Sequence, residues 1–102
     1  MEISLVVPAY NERDNLAPLL AEIAAALEVG TGGGAVPSYE VIVVDDGSSD
    51  GTLEALKTLR QQYPQLHIIS FERNAGQTAA FAAGFRAARA PIVVTLDADL
   101  QN

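Results

Sequence analysis

Four short apolar runs, each followed by polar residues and separated from the next by a stretch of helical length, set the fold of this chain. The runs are Ile3 to Val7, Val41 to Val44, Leu66 to Phe71 and Ile92 to Leu96. They are continuous rather than alternating, and Val41 to Val44 is entirely β-branched, the pattern of strands buried on both faces of a parallel sheet. Pro8 is expected to end the first. After it, Leu16, Leu19, Leu20, Ile23 and Leu27 recur at three- and four-residue spacing and mark one face of a helix. Asn11 or Asp14 is placed to cap that helix. Leu53, Leu56 and Leu59 give the apolar face of a second helix, with Ser48, Ser49 or Asp50 as its cap. The Ala-rich segment Gln77 to Ala88 reads as a third. Strand and helix therefore alternate from end to end. The expected fold is α/β, a Rossmann-like parallel sheet with right-handed crossovers and helices on both faces. Residues 1–102 form one unit with no internal repeat.

The glycine-rich stretch Gly30 to Ser38 leads from a helix into a strand. Phosphate-binding loops run from strand to helix, so this stretch reads as a connection. The chain has 49% apolar residues, enough for a packed core. It has no cysteine, which removes disulfide scaffolds, thiolate metal clusters and thiol nucleophiles. Its formal net charge of -7 makes nucleic acid an unsuitable partner, because phosphate backbones require clustered Lys and Arg. Small phosphorylated ligands stay open, since a divalent cation can bridge carboxylate to phosphate. No signal peptide and no membrane-spanning run is read, so the expected location is the cytoplasm.

Open parallel sheets bind ligands beyond the carboxyl ends of their strands. Each strand here is followed by polar or charged residues: Pro8-Ala9-Tyr10-Asn11-Glu12, Asp45-Asp46-Gly47-Ser48-Ser49-Asp50-Gly51, Arg73-Asn74-Ala75-Gly76-Gln77 and Asp97-Ala98-Asp99-Leu100-Gln101. Asp97 and Asp99 lie one residue apart at a strand end and repel each other unless a cation sits between them. Hard oxygen ligands of this kind suit Mg²⁺ or Mn²⁺, and Gln101 can add a further oxygen. Asp45 is expected to hold its own loop through backbone N–H groups. Asp46 points to the cleft edge, where it can accept hydrogen bonds from a base or ribose. Tyr10 can stack on a base; Glu12 can receive polar groups or simply favour the helix N-terminus. Arg73 pairs with a phosphate or is a surface charge, while Asn74 and Gln77 cap the third helix or reach the cleft. His67 stands at the start of a strand, away from this edge, and reads as structural or exposed. The first loop is not Gly-x-Gly-x-x-Gly, which disfavours a dehydrogenase or a Rossmann-type methyltransferase. A response-regulator receiver is disfavoured because its acidic pair follows the first strand, and here the pair follows the second.

Together these four segments, in order and spacing, resemble the family 2 glycosyltransferases of GT-A fold. The resemblance is closest to the branch with dolichyl-phosphate mannosyltransferase and the bacterial polyprenyl-phosphate glycosyltransferases. Ala75 departs from that branch, which often has an aromatic residue there. The resemblance implies that Pro8, Ala9, Tyr10 and Glu12 line a nucleotide-sugar site and that Val44 and Asp46 contact base and ribose. It also implies that Asp97, Ala98 and Asp99 belong to the same site, with Asp97, Asp99 and Gln101 holding Mg²⁺ or Mn²⁺. The implied reaction is a metal-dependent single displacement with inversion. It moves a hexose from a GDP- or UDP-linked donor to a polyprenyl or dolichyl phosphate, in cell-wall or glycolipid synthesis. The alternatives are a polysaccharide acceptor, or a nucleotide-binding module without turnover. The family's acceptor-binding half lies downstream of the Asp-x-Asp. Residues 1–102 are therefore expected to be the nucleotide-sugar-binding half, with no catalytic residue assigned, no turnover alone, and an edge strand left unpaired where the remaining sheet should continue. Membrane association, at the cytoplasmic face, is expected to come from a missing C-terminal part.

Overall fold

A computed structural model describes residues 1–28 and 38–98. The glycine-rich connection at 29–37, and Asp99 to Asn102, lie outside the described residues. The elements are β1 (Ile3–Ala9), α1 (Arg13–Glu28), β2 (Tyr39–Asp45), α2 (Thr52–Gln62), β3 (Leu66–Ser70), α3 (Gln77–Ala87) and β4 (Ile92–Thr95). The strands form one parallel sheet in the order β3-β2-β1-β4.

The alternation of side chains along a strand explains the layering. Leu5, Val7 and Ala9 of β1, with Val41 and Val43 of β2, face α1 and α2, where they bury Leu16, Leu19, Leu20, Ile23 and Leu56. Ile42 and Val44 point the other way, onto Ala80 of α3. Burying each such Leu, Ile or Val stabilises the fold by roughly 1.5–3 kcal/mol before entropy is counted. On the second face the small residues of α3 let it lie close to the sheet. A Cβ on Gly84 would sit 2.3 Å from Val6 Cγ1.

β1 runs two residues past the expected stop, through Pro8 to Ala9. Val6 O accepts from Leu96 N on the β4 side, and Ala9 O accepts from Asp46 N on the β2 side. By alternation, the N–H that Pro8 lacks would face β4. The β1–β4 ladder ends at Val6 and Thr95, so no sheet bond is lost. β3 ends at Ser70 and β4 at Thr95, one residue short of expectation in each case.

β4 is one of the sheet's two edge strands. Ile92, Val93 and Val94 are all exposed, as is Phe85 of α3, whose ring stacks on Phe81 at 5.9 Å. No described helix is long and apolar enough to cross a membrane.

Candidate functional site

β2 and β3 extend the sheet to one side of β1, while β4 joins it on the other. Helices α1 and α2 cover one face and α3 the other. The chain thus reverses direction between β1 and β4, and the loops leaving those strands diverge. Such a switch point opens a crevice at the carboxyl ends of the strands. A cleft of about 430 Å³ occupies it, within the roughly 300–1,000 Å³ usual for small-molecule sites.

Pro8, Ala9, Tyr10 and Glu12 line this cleft from β1, Asp46 from β2, Asn74, Gly76 and Gln77 from the β3–α3 loop, and Asp97 and Ala98 from β4. Nine of the residues singled out by sequence therefore meet at one place: Pro8, Ala9, Tyr10, Glu12, Asp46, Asn74, Gln77, Asp97 and Ala98. Tyr10 is 48% exposed, which leaves its ring free to stack on a ligand. Val44 corrects the expectation. Its side chain is fully buried against α3 and does not line the cleft, because alternation along β2 turns it onto the sheet face. Asp99 and Gln101 lie outside the described residues. Arg73 is exposed and does not line the cleft. Gly76 lines it without having been singled out; its flank of polar residues before an Ala-rich helix was the available signal.

The rim loops are tied to one another. Asn11, at a left-handed φ of 53° that suits Asn, donates its N–H to Ser48 Oγ at 2.8 Å and accepts from Ser49 N at 2.9 Å. The start of α1 is capped from the neighbouring loop: Glu12 N donates to Thr52 Oγ1 at 3.2 Å and Arg13 N to Asp50 Oδ2 at 3.3 Å. This replaces the expected caps. Asn11 is engaged with the β2–α2 loop, and Asp14 lies in the first turn, where its charge suits the helix dipole. None of the three candidates for α2 holds its cap position, which falls to Gly51 without a side-chain cap; Asp50, one residue earlier, accepts from Thr52 N at 3.0 Å. The Thr52 hydroxyl is the main cause holding the Asp50 carboxyl below its usual value; burial opposes it, and the N–H groups of Arg13 and Thr52 add smaller lowering effects.

Asp45 behaves as expected: buried, it accepts from Ser48 N at 3.1 Å. Asp46 is also buried, and its carboxylate accepts from Ala75 N, Gly76 N and Asn74 Nδ2. Glu12 reaches the cleft while accepting from Asn15 Nδ2 at 2.6 Å. The cleft therefore holds the carboxylates of Glu12, Asp46 and Asp97, and among the described residues no Lys or Arg lines it. A diphosphate would be repelled from such a surface unless a divalent cation came with it. No three acidic or histidine side chains converge as a cage among the described residues. Asp97 is exposed at the cleft wall, which fits a metal that takes one or two carboxylates and completes its shell with water and phosphate.

Comparison with known proteins places the chain. The model of glycosyl transferase family 2 matches residues 4–102. The chain belongs to this family. Among curated members, a dodecaprenyl-phosphate galacturonate synthase of Rhizobium johnstonii is 43% identical over 104 residues, covering 100% of this chain and 29% of that protein. An undecaprenyl-phosphate 4-deoxy-4-formamido-L-arabinose transferase of Yersinia enterocolitica is 43% identical over 103 residues, covering 99% of this chain and 30% of that protein. The fold is also seen in solved structures. A mannosyltransferase from Pyrobaculum calidifontis in complex with GDP-Man and Mn²⁺ superposes with a TM-score of 0.81 at 29% identity, over 96% of this chain and 27% of that one. S. aureus TarS 1-349 in complex with UDP superposes with a TM-score of 0.79 at 28% identity, over 97% and 28%. The parallel sheet with helices on both faces is thus Rossmann-like and matches GT-A glycosyltransferase structures. The chain spans less than a third of the length of the curated relatives it matches.

Proposed function

We propose that residues 1–102 are the nucleotide-sugar-binding half of an inverting glycosyltransferase that passes a hexose to a polyprenyl or dolichyl phosphate. The observation that carries this reading is the acidic cleft at the β1/β4 switch point, in a chain whose relatives are named for polyprenyl-phosphate acceptors. Tyr10 would stack on the base, with Pro8 and Ala9 forming the floor. Asp97, together with Asp99 and Gln101, would hold Mg²⁺ or Mn²⁺, which as a Lewis acid would stabilise charge on the departing diphosphate. The Mn²⁺ and GDP-Man bound to the Pyrobaculum enzyme support that metal assignment. A lipid phosphate is already ionised, so the attack needs no strong general base. The reaction would run in the cytoplasm, at the membrane face that presents the acceptor headgroup. The relatives' names carry different sugars, so the donor is the part of the reading that experiment must fix.

Calorimetric titration with UDP and with GDP, with and without Mn²⁺, tests it. Mn²⁺-dependent binding of one nucleotide, lost in Asp97→Ala and Asp99→Ala, is expected. A folded chain that binds neither nucleotide would overturn the donor site. Binding without sugar transfer to a polyprenyl phosphate would favour the module reading for these residues alone.

A further inference from the structure

Glu12 reaches the cleft on a fixed backbone, with a side chain held at one point. Its N–H donates to Thr52 Oγ1 at 3.2 Å, and its carbonyl accepts from Asn15 N at 3.0 Å. Its carboxylate Oε2 accepts from Asn15 Nδ2 at 2.6 Å, and among the described residues no other hydrogen bond reaches that carboxylate. Asn15 stands three residues on, in the first turn of α1, a spacing that puts it on Glu12's side of the turn. It is half-buried and does not line the cleft.

Glu12 needs such a hold for two reasons. It shares the cleft with Asp46 and Asp97, and among the described residues no Lys or Arg lines it. Like charges drive a free carboxylate out toward water. A Glu side chain is also rich in rotamers, so one left loose would add its ordering cost to ligand binding. The Asn15 amide answers both. It donates a charge-assisted hydrogen bond and, being neutral, leaves the carboxylate's charge to the cleft.

We infer that Asn15 is a positioning residue, which holds the Glu12 carboxylate in place for the nucleotide and touches no ligand itself. This rests on the donor-site reading above, but the hold on Glu12 can be measured without any nucleotide. Asn15→Ala removes the donor. Asn15→Asp keeps the shape and suits the helix dipole in the first turn, but has no N–H to offer. If Asn15 served only helix entry, Asp would replace it.

The test has two arms on the 102-residue chain. In the first, the Glu12 Hα–Hβ couplings and the protection of α1 amides are followed by NMR without ligand. One fixed Glu12 rotamer is expected in wild type, and averaged couplings in both Asn15 variants, with α1 still protected. A Glu12 already averaged in wild type, or still fixed in either variant, would overturn the inference. Averaging that comes only with lost protection of α1 would assign Asn15 to helix entry and overturn it as well. In the second arm, the nucleotide that binds wild type with Mn²⁺ is titrated into Asn15→Ala, Glu12→Ala and the double variant. Asn15→Ala should bind about three- to tenfold more weakly than wild type, and should add no loss to Glu12→Ala. Unchanged affinity in Asn15→Ala, or the same loss in both backgrounds, would mean that Asn15 does not act through Glu12. If wild type binds neither UDP nor GDP, the donor-site reading fails and Asn15's service to a nucleotide with it. The first arm still decides the hold on Glu12.

Discussion

Ser4 and Glu40 are register partners across β1 and β2, and the Ser4 hydroxyl donates to the Glu40 carboxylate at 2.6 Å. The pair sits at the end of the sheet opposite the cleft. Arg89 N donates to the same oxygen at 2.8 Å, and Ala90 N donates to Ser4 Oγ at 3.1 Å. The Arg89 guanidinium and His67 approach the other oxygen at 3.5 and 3.6 Å. With Glu40 only 1% exposed, one carboxylate ties the turn from α3 into β4 to two central strands.

The charge of Glu40 should therefore appear in the pH dependence of stability. Burial alone would raise its pKa. The hydrogen bonds from Ser4 and Arg89 N, and the positive charges of Arg89 and protonated His67, outweigh that and hold it below the ordinary value of 4.5. A carboxyl depressed in the folded state binds fewer protons there than in the unfolded chain. Its contribution is complete above about 4.5 and is lost as pH falls through the lower folded value. The urea midpoint should fall on acidification through that window, and Glu40→Gln should make the fall shallower. Parallel curves for the two proteins would show that Glu40 is not a source of the acid sensitivity.

Gly84→Ala should destabilise although Ala is the better helix former. The propensity gain is about 1 kcal/mol. The new methyl would lie 2.3 Å from Val6 Cγ1, inside a helix–sheet contact with no space to yield. Overpacking of that kind costs about 1–3 kcal/mol, so a net loss is expected in chemical denaturation. A gain in stability would mean that α3 can move off the sheet freely.

Much of this architecture was legible in the sequence because it rests on pattern. β-branched runs and leucines at helical spacing reported the sheet, its layers and the edge that carries the cleft. What escaped depends on partners distant in the chain. Glu40 heads an apolar strand and looks like a solvated terminus until Ser4, His67 and Arg89 are brought around it. Val44 follows the same logic in reverse. It stands next to Asp45 in sequence, but the two-residue period of the strand sends its side chain into the α3 core. The caps were misplaced because α1 takes its cap from a loop some forty positions away, at Asp50 and Thr52, and not from its own first residues.

Thr52→Val tests that shared cap. Thr52 is fully buried, its hydroxyl accepting from Glu12 N and donating to Asp50. Val keeps the shape and removes both bonds, leaving the Glu12 N–H without its partner. A buried unsatisfied donor costs about 1–3 kcal/mol. The Asp50 carboxyl, held low chiefly by that hydroxyl, should move up toward its ordinary value in a carboxyl-detected NMR titration. A loss of stability with no change at Asp50 would assign the effect to packing alone.

Gly47→Ala and Gly51→Ala separate backbone strain from loop contact. Both glycines adopt left-handed conformations, at φ of 71° and 91°. That conformation alone costs a residue with a Cβ roughly 1–2 kcal/mol. At Gly51 the added Cβ would meet only the Arg13 side chain, at 3.5 Å, an ordinary contact. At Gly47 it would lie 2.4 Å from Asn74 N and 2.5 Å from Arg73 C, backbone atoms that cannot rotate aside. Gly51→Ala should therefore lose stability in urea denaturation while keeping the Ala75 and Gly76 amides protected. Gly47→Ala should lose more stability, lose that protection, and lose nucleotide affinity with it. Equal effects from the two substitutions would mean that the β3–α3 loop shifts without consequence, and that its seat against β2 does not shape the cleft.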